Sequence, residues 1–218
     1  MQAATTKTIG IVQVKGGAGR STVATTLAGE LAKLGTVALV DCDQPQGTAA
    51  SWASLRQGLE NRPPLRAYTA STHRELVAIT SKLAGTVDWI VFDGPPRIAE
   101  MSRAILALSD LALVPVGASP AEVWATADVL PLIEEAKKLR PVQARLIWTR
   151  FRPYTRLAQD LEVQATKELG LKPLRAHLGF RVAYAEALGS GLTAAEVGDP
   201  AARDEVAAMV SEVQRLAR

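Results

Sequence analysis

Lys15-Gly16-Gly17-Ala18-Gly19-Arg20-Ser21-Thr22 places three glycines, two cations and two adjacent hydroxyls within eight residues. Glycine at those steps lets the backbone curl until successive N–H groups face one point, and the start of a following helix adds the positive end of its dipole. Such a cradle grips phosphate, and the ligand it predicts is a nucleoside triphosphate. Ser21 is placed to offer a hydroxyl to Mg²⁺ and Arg20 to meet the β and γ phosphates. One lysine, Lys15, stands where a Walker loop does not have one, and the lysine expected at position 20 is an arginine.

Two further segments carry acids. Asp41-Cys42-Asp43-Gln44-Pro45-Gln46 sets two carboxylates one residue apart, and Trp89-Ile90-Val91-Phe92-Asp93 ends an apolar run in an acid before Gly94-Pro95-Pro96. Hard oxygen donors beside a triphosphate suit Mg²⁺ or an attacking water. Each segment alone also reads as an ordinary loop after a strand.

The elements that must position these groups are legible as alternation. Runs rich in Val, Ile and Leu recur at Thr8 to Val14, Val37 to Asp41, Leu65 to Thr69, Trp89 to Asp93, Leu111 to Val116 and Ala144 to Thr149, each followed by a helical pattern. The first of these helical patterns runs from Ser21 to Leu34. Most of the runs lack a polar face, as parallel strands covered on both sides do. The expected fold is therefore α/β, a doubly wound, mainly parallel sheet with helices on both faces, in one domain over residues 1–218. Thr72 with Glu75, Ser119 with Glu122 and Thr193 with Glu196 have capping-box spacing, and Pro120 and Pro200 suit first helical positions. In such sheets ligands bind at the carboxyl ends of strands, where the loop and both acidic segments fall.

Composition narrows the setting. With 218 residues and 48% hydrophobic content the chain can bury a full core. Its single cysteine, Cys42, allows no intrachain disulfide and points to a reducing cytoplasm. Met1 to Thr8 lacks the apolar core of a signal peptide, and the greasiest stretch, Ile105 to Ala118, is broken by Asp110 and Pro115, so no membrane span is expected. His73 and His177 have no partner at metal-ligand or triad spacing.

On these motifs the chain resembles the ParA/MinD family of deviant Walker-A P-loop ATPases, nearly end to end and most closely the small ParA type. The C-terminal tract Arg181-Val-Ala-Tyr-Ala-Glu-Ala-Leu-Gly-Ser-Gly fits the same pattern. The resemblance implies ATP and Mg²⁺ as cofactors, with residues 15–22 cradling the phosphates and Thr149 and Arg150 at the strand end where relatives contact adenine. It makes Lys15 the lysine that reaches across an ATP-bound homodimer to the partner's phosphates. Ser21 would ligate Mg²⁺, Asp41 and Asp93 would support the ion without touching it, and Asp43 would position the hydrolytic water. Two departures stand out: Arg20 replaces the loop lysine, and Gln44 intrudes between Asp43 and Pro45-Gln46. A planar guanidinium is not a compact ammonium, so ATP binding with slow turnover is expected. Asp43 is the preferred catalytic residue and Asp41 the fallback.

From Arg140 to Arg156 there are five arginines and no acid, with Trp148, Phe151 and Tyr154 interleaved. Arg150, Arg152 and Arg156, with Lys167 and Lys172 further on, could neutralise duplex phosphates without reading bases; the bland reading is a solvated face. Arg150 is a candidate for both adenine and DNA. The family resemblance implies a cytoplasmic, nucleoid-associated protein that binds double-stranded DNA nonspecifically and positions a cargo, with hydrolysis stimulated by a ParB-like or cargo-adaptor protein. Two alternatives remain on the sequence alone. One is a MinD-like ATPase on a membrane surface, although the final helix, Pro200 to Arg218, has acids and no aromatic anchor. The other is a metabolic ATP-dependent enzyme on the same fold. Trp52, Trp89 and Trp124 are assigned to core or interface packing.

Overall fold

The computed structural model describes residues 5–97 and 99–217. The expectations that touch residues 1–4 and Arg218 lie outside the described residues. Seven strands form one sheet: β1 (Lys7–Ile11), β2 (Val37–Asp41), β3 (Arg66–Thr69), β4 (Trp89–Asp93), β5 (Leu111–Gly117), β6 (Gln143–Phe151) and β7 (Pro173–Gly179). Their order is β3-β2-β4-β1-β5-β6-β7, and every neighbouring pair is parallel. The nine helices described are α1 (Arg20–Leu31), α2 (Thr48–Gln57), α3 (His73–Leu83), α4 (Ala99–Leu108), α5 (Pro120–Thr126), α6 (Leu130–Leu139), α7 (Arg156–Leu169), α8 (Val182–Ser190) and α9 (Pro200–Leu216).

Alternation along the strands decides which helices cover which face. In β2, Ala38 and Val40 join the core formed with α3 to α7, whereas Val37 and Leu39 join the one formed with α1, α2, α8 and α9. Both sides are apolar because both are roofed, which is why these strands read as continuous hydrophobic runs.

The seventh strand was not expected. Pro173-Leu-Arg-Ala-His-Leu-Gly alternates instead of running apolar: Leu174, Ala176 and Leu178 are buried while Arg175 is exposed. It is a half-covered edge strand, and that period of two is what edge position produces. Two of the three capping boxes start helices as expected, with the Thr72 and Ser119 hydroxyls accepting from the N–H groups of Glu75 and Glu122. The third does not. Thr193 to Gly198 forms a turn, because Glu196 is drawn to Arg56 and the chain reverses at Gly198 with φ of 90° before α9. Pro200 does open α9, where Asp199 Oδ1 accepts from the N–H groups of Ala201 and Ala202.

Register brings the chemistry together. Asp93 lies opposite Ile11 on one side and Asp41 on the other, so the ends of β1, β2 and β4 finish level. Gly117 of β5 pairs with Thr149 of β6, closing the same end of the sheet.

Candidate functional site

The loop between β1 and α1 is built around open backbone donors. Gly17 and Gly19 adopt φ of 76° and 91°, the left-handed region that suits glycine. Gly19 caps α1 without any side-chain hydrogen bond. The first return to helical bonding is Val23 N–H to Gly19 O, and the N–H groups of Gly16 to Thr22 meet no protein acceptor among the described residues. Seven unpaired donors leading into a helix N-terminus suit an anion.

Two side chains hold the loop in that shape. Gln13, fully buried, accepts from the N–H groups of Val14 and Lys15 and donates to Pro115 O and Thr126 Oγ1 at 3.0 and 2.9 Å. Thr149 Oγ1 donates to Ala18 O at 2.9 Å, and a Cβ on Gly19 would come within 3.3 Å of Thr149 Cγ2. Thr149 therefore fastens the loop, and glycine beside it suits both the close contact and the φ of 91°.

Arg20, the residue expected to meet the β and γ phosphates, is engaged here with carbonyls of its own chain. Its guanidinium is 7% exposed and donates to Gly94 O at 2.7 Å, Gln13 O at 2.9 Å and Lys15 O at 2.6 Å. Nη2 lies 3.8 Å from Asp43 Oδ2. Burial lowers its pKa, against the raising charges of Asp93 and Asp43. The wide fork that makes arginine a poor copy of lysine here finds three carbonyls to bridge.

The acids divide by environment. Asp41 is fully buried, and its oxygens accept from the N–H groups of Asp43 and Ala50 at 2.9 and 2.8 Å, so it pins the segment between β2 and α2. Asp93 is fully buried too, yet neither oxygen has a hydrogen-bond partner of ordinary geometry. Its carboxyl is pushed up to about 7, first by burial, with the Ser21 hydroxyl opposing and the charges of Asp41 and Asp43 adding. Asp43 rises above the usual carboxylate range, mostly through burial and against the pull of Arg20. Among the described residues no group of three or more His, Cys, Asp or Glu is placed to hold a metal by itself. A cation here must arrive with oxygen ligands of its own, as Mg²⁺ does on a triphosphate. Ser21 beside an unpartnered buried carboxylate fits that ion. Cys42 is buried between these acids and its thiol is pushed up, first by burial and then by their charges, which leaves it a packing residue.

Lys15 is held within its own chain: Nζ lies 2.9 Å from Glu122 Oε1 at the start of α5. Beside the loop opens a cavity of about 450 Å³, lined on one side by Gly19, Thr22 and Thr149 and on the other by Phe180, Arg181 and Tyr184. Its walls are mainly apolar with a few polar edges, and its size suits a base and sugar.

A model of the CobQ/CobB/MinD/ParA nucleotide-binding domain matches residues 9–194. The chain belongs to that family. The carboxysome distribution maintenance protein A of Halothiobacillus neapolitanus is 29% identical over 211 residues, 94% of this chain and 95% of its own. The chromosome-partitioning ATPase Soj of Thermus thermophilus is 30% identical over 225 residues, 90% of each chain. Among solved structures, an ATP complex of a Cyanothece McdA variant superposes with a TM-score of 0.77 at 18% identity, covering 97% of both chains. MinD of Pyrococcus horikoshii with Mg-ADP gives a TM-score of 0.77 at 17% identity, also over 97% of both. The last two likenesses establish the ParA/MinD fold.

In this ParA/MinD domain the expected DNA-contacting residues do not form one patch. Arg150, Arg152 and Arg156 are exposed around the end of β6 and the start of α7, but Lys167 lies in the last turn of α7 and Lys172 just before β7. Eleven helical residues separate Arg156 from Lys167, about 16 Å along the axis. Arg140 is tied to Asp110 at the opposite end of β6. Trp148 and Phe151 are core residues stacked at 5.5 Å, and of the interleaved aromatics only Tyr154, 97% exposed, reaches solvent. Trp52 is buried, whereas Trp124 is exposed on α5 close to Glu122. Sequence reasoning missed Gln13, Glu122 and the lining residue Phe180. It saw the tract beginning at Arg181 but gave it no role.

Proposed function

We propose that this protein is an ATP-driven positioning switch: Mg²⁺–ATP occupies the loop, two copies associate face to face through Lys15, and the dimer holds nonspecific double-stranded DNA until a partner stimulates hydrolysis. The observation that carries the reading is the run of unpaired N–H groups from Gly16 to Thr22, set beside the unpartnered Asp93 carboxylate and opening onto the 450 Å³ cavity. Triphosphate, cation and base each have a place of matching chemistry.

Ser21 would hold the ion, with Asp93 taking up its bound waters; the cation supplies charge neutralisation to the phosphates. Asp43, close to Arg20 and only 13% exposed, is the carboxylate placed to orient a water. With Arg20 engaged by three carbonyls, one cation fewer faces the transferring phosphate, which fits slow turnover. Arg150, Arg152 and Arg156 supply a DNA-facing cluster. A membrane-surface role finds less support: α9 buries Val206, Met209, Val210 and Val213 against the sheet, and no helix described is long and apolar enough to cross a membrane. The relatives named for carboxysome distribution and chromosome partitioning support a large intracellular cargo.

The test is sedimentation with and without Mg²⁺–ATP, in parallel with retention on random-sequence duplex DNA. ATP-dependent dimers retained on DNA at low salt are expected. A protein that binds no adenine nucleotide, or binds it and stays monomeric, overturns the reading.

A further inference from the structure

Glu205 is a carboxylate of α9 whose side chain is only 10% exposed and whose hydrogen bonds all go to one wall of the cavity. Oε2 accepts from Gly179 N–H at 2.9 Å and from Tyr184 Oη at 2.7 Å, and Oε1 accepts from Arg181 Nε at 3.0 Å and Nη2 at 2.8 Å. Three residues that line the cavity are thus tied to one group lying outside it. The fit is close: a Cβ on Gly179 would come within 2.7 Å of Glu205 Oε1 and 3.1 Å of Arg181 Nε. Arg181 is braced further by Asp199, 3.9 Å from Nη1.

The opposite wall is Gly19 of the phosphate loop, Thr22 of the first turn of α1 and Thr149 of β6. The Glu205 wall belongs to β7 and α8, backed by α9, and none of its lining residues is one of the loop donors from Gly16 to Thr22. Its shape therefore bears first on whatever fills the cavity beside the loop. We propose that Glu205 is a positioning residue that sets the base-side wall of the nucleotide cavity. This rests on reading the cavity as the base site.

Glu205→Gln keeps the volume but replaces an acceptor oxygen by an NH₂ donor facing donors, so at least one of the four bonds is lost or inverted. The measurement is the affinity of full-length protein for ATP and inorganic tripolyphosphate, each with Mg²⁺. ATP binding should weaken about tenfold, the size of one lost charge-assisted bond. Tripolyphosphate affinity should stay within about twofold. Tyr184→Phe, which removes a single hydroxyl, should move ATP in the same direction by less and serves where Glu205→Gln does not fold. Equal losses for ATP and tripolyphosphate would mean a general loosening and overturn the assignment, as would unchanged ATP binding. A wild-type protein that binds tripolyphosphate but no purine nucleotide shows instead that the cavity is not a base site, and removes the nucleotide reading together with this one.

Discussion

Lys15 Nζ and Glu122 Oε1 are 2.9 Å apart, so the loop lysine proposed to act on a second copy is paired inside its own chain. Arg150 Nη2 approaches the same oxygen at 3.4 Å. Ser119 caps α5 and fixes Glu122 in its first turn, within reach of Lys15. On the proposed dimer, Lys15 has to leave this carboxylate before it can cross to a partner, and the pair would then tax dimerisation.

The tax is small and measurable. Lys15 is 37% exposed in this pair, where ion pairs contribute about 0.2–1 kcal/mol. Glu122→Gln should strengthen ATP-dependent dimerisation up to about fivefold by analytical ultracentrifugation, with ATP affinity little changed. Weaker dimerisation in that variant would mean that Glu122 serves the interface itself.

Arg20→Lys separates two consequences of one substitution. The lysine cannot bridge Gly94 O, Gln13 O and Lys15 O together, so buried carbonyls lose partners and unfolding should cost about 1–3 kcal/mol less. For a domain of this size that lowers Tm by several degrees. Released from those carbonyls, an ammonium can meet phosphate, and hydrolysis should rise. Lower Tm with faster turnover is the expected pair; equal turnover in both proteins would show that Arg20 does not limit the chemistry.

Arg152→Glu with Arg156→Glu should abolish retention on duplex DNA while ATP binding survives. Lys167→Glu with Lys172→Glu should cost much less, because those side chains stand at the other end of α7. Phosphate contacts release counterions, so the dependence of binding on salt should flatten in the first double variant and hold its slope in the second. A larger loss from the lysine pair would relocate the DNA face.

What could be read in the sequence follows from how local each signal is. Five strands, β1, β2, β4, β5 and β6, announce themselves because their apolar runs need helices on both faces; β3 is a largely exposed edge strand, and β7 is not announced, because its period of two is shared with many loops. The loop is legible since its glycines and hydroxyls act within eight residues. Gln13, Glu122 and Glu205 are single polar residues whose work depends on partners brought near by the sheet, such as Thr126, 113 positions from Gln13. The Thr193–Glu196 pair failed for the same reason: spacing allows a cap, but tertiary partners of Glu196 decide its course.

Those partners also set a pH dependence. Arg56 clasps Glu196 with Nη1 and Nη2 at 2.9 and 3.2 Å, Thr193 N–H donates at 2.8 Å, and Lys33 lies at 3.5 Å. Burial alone would raise the Glu196 pKa, but the Arg56 and Thr193 hydrogen bonds and the nearby cations outweigh it and hold the carboxyl down at about 2. A depressed folded-state pKa means stability that is complete above the unfolded value and lost as pH falls towards the folded one. The contribution, about 2 kcal/mol after solvent screening, should hold above about pH 5 and fade as acid approaches pH 2. Denaturant unfolding of wild type and Glu196→Gln at several pH values isolates it as their difference. That difference should be flat near neutrality and shrink below pH 4.5, the ordinary value for a glutamate; a constant difference down to pH 3 would show that the Arg56 clasp does not stabilise the fold through the charge of Glu196.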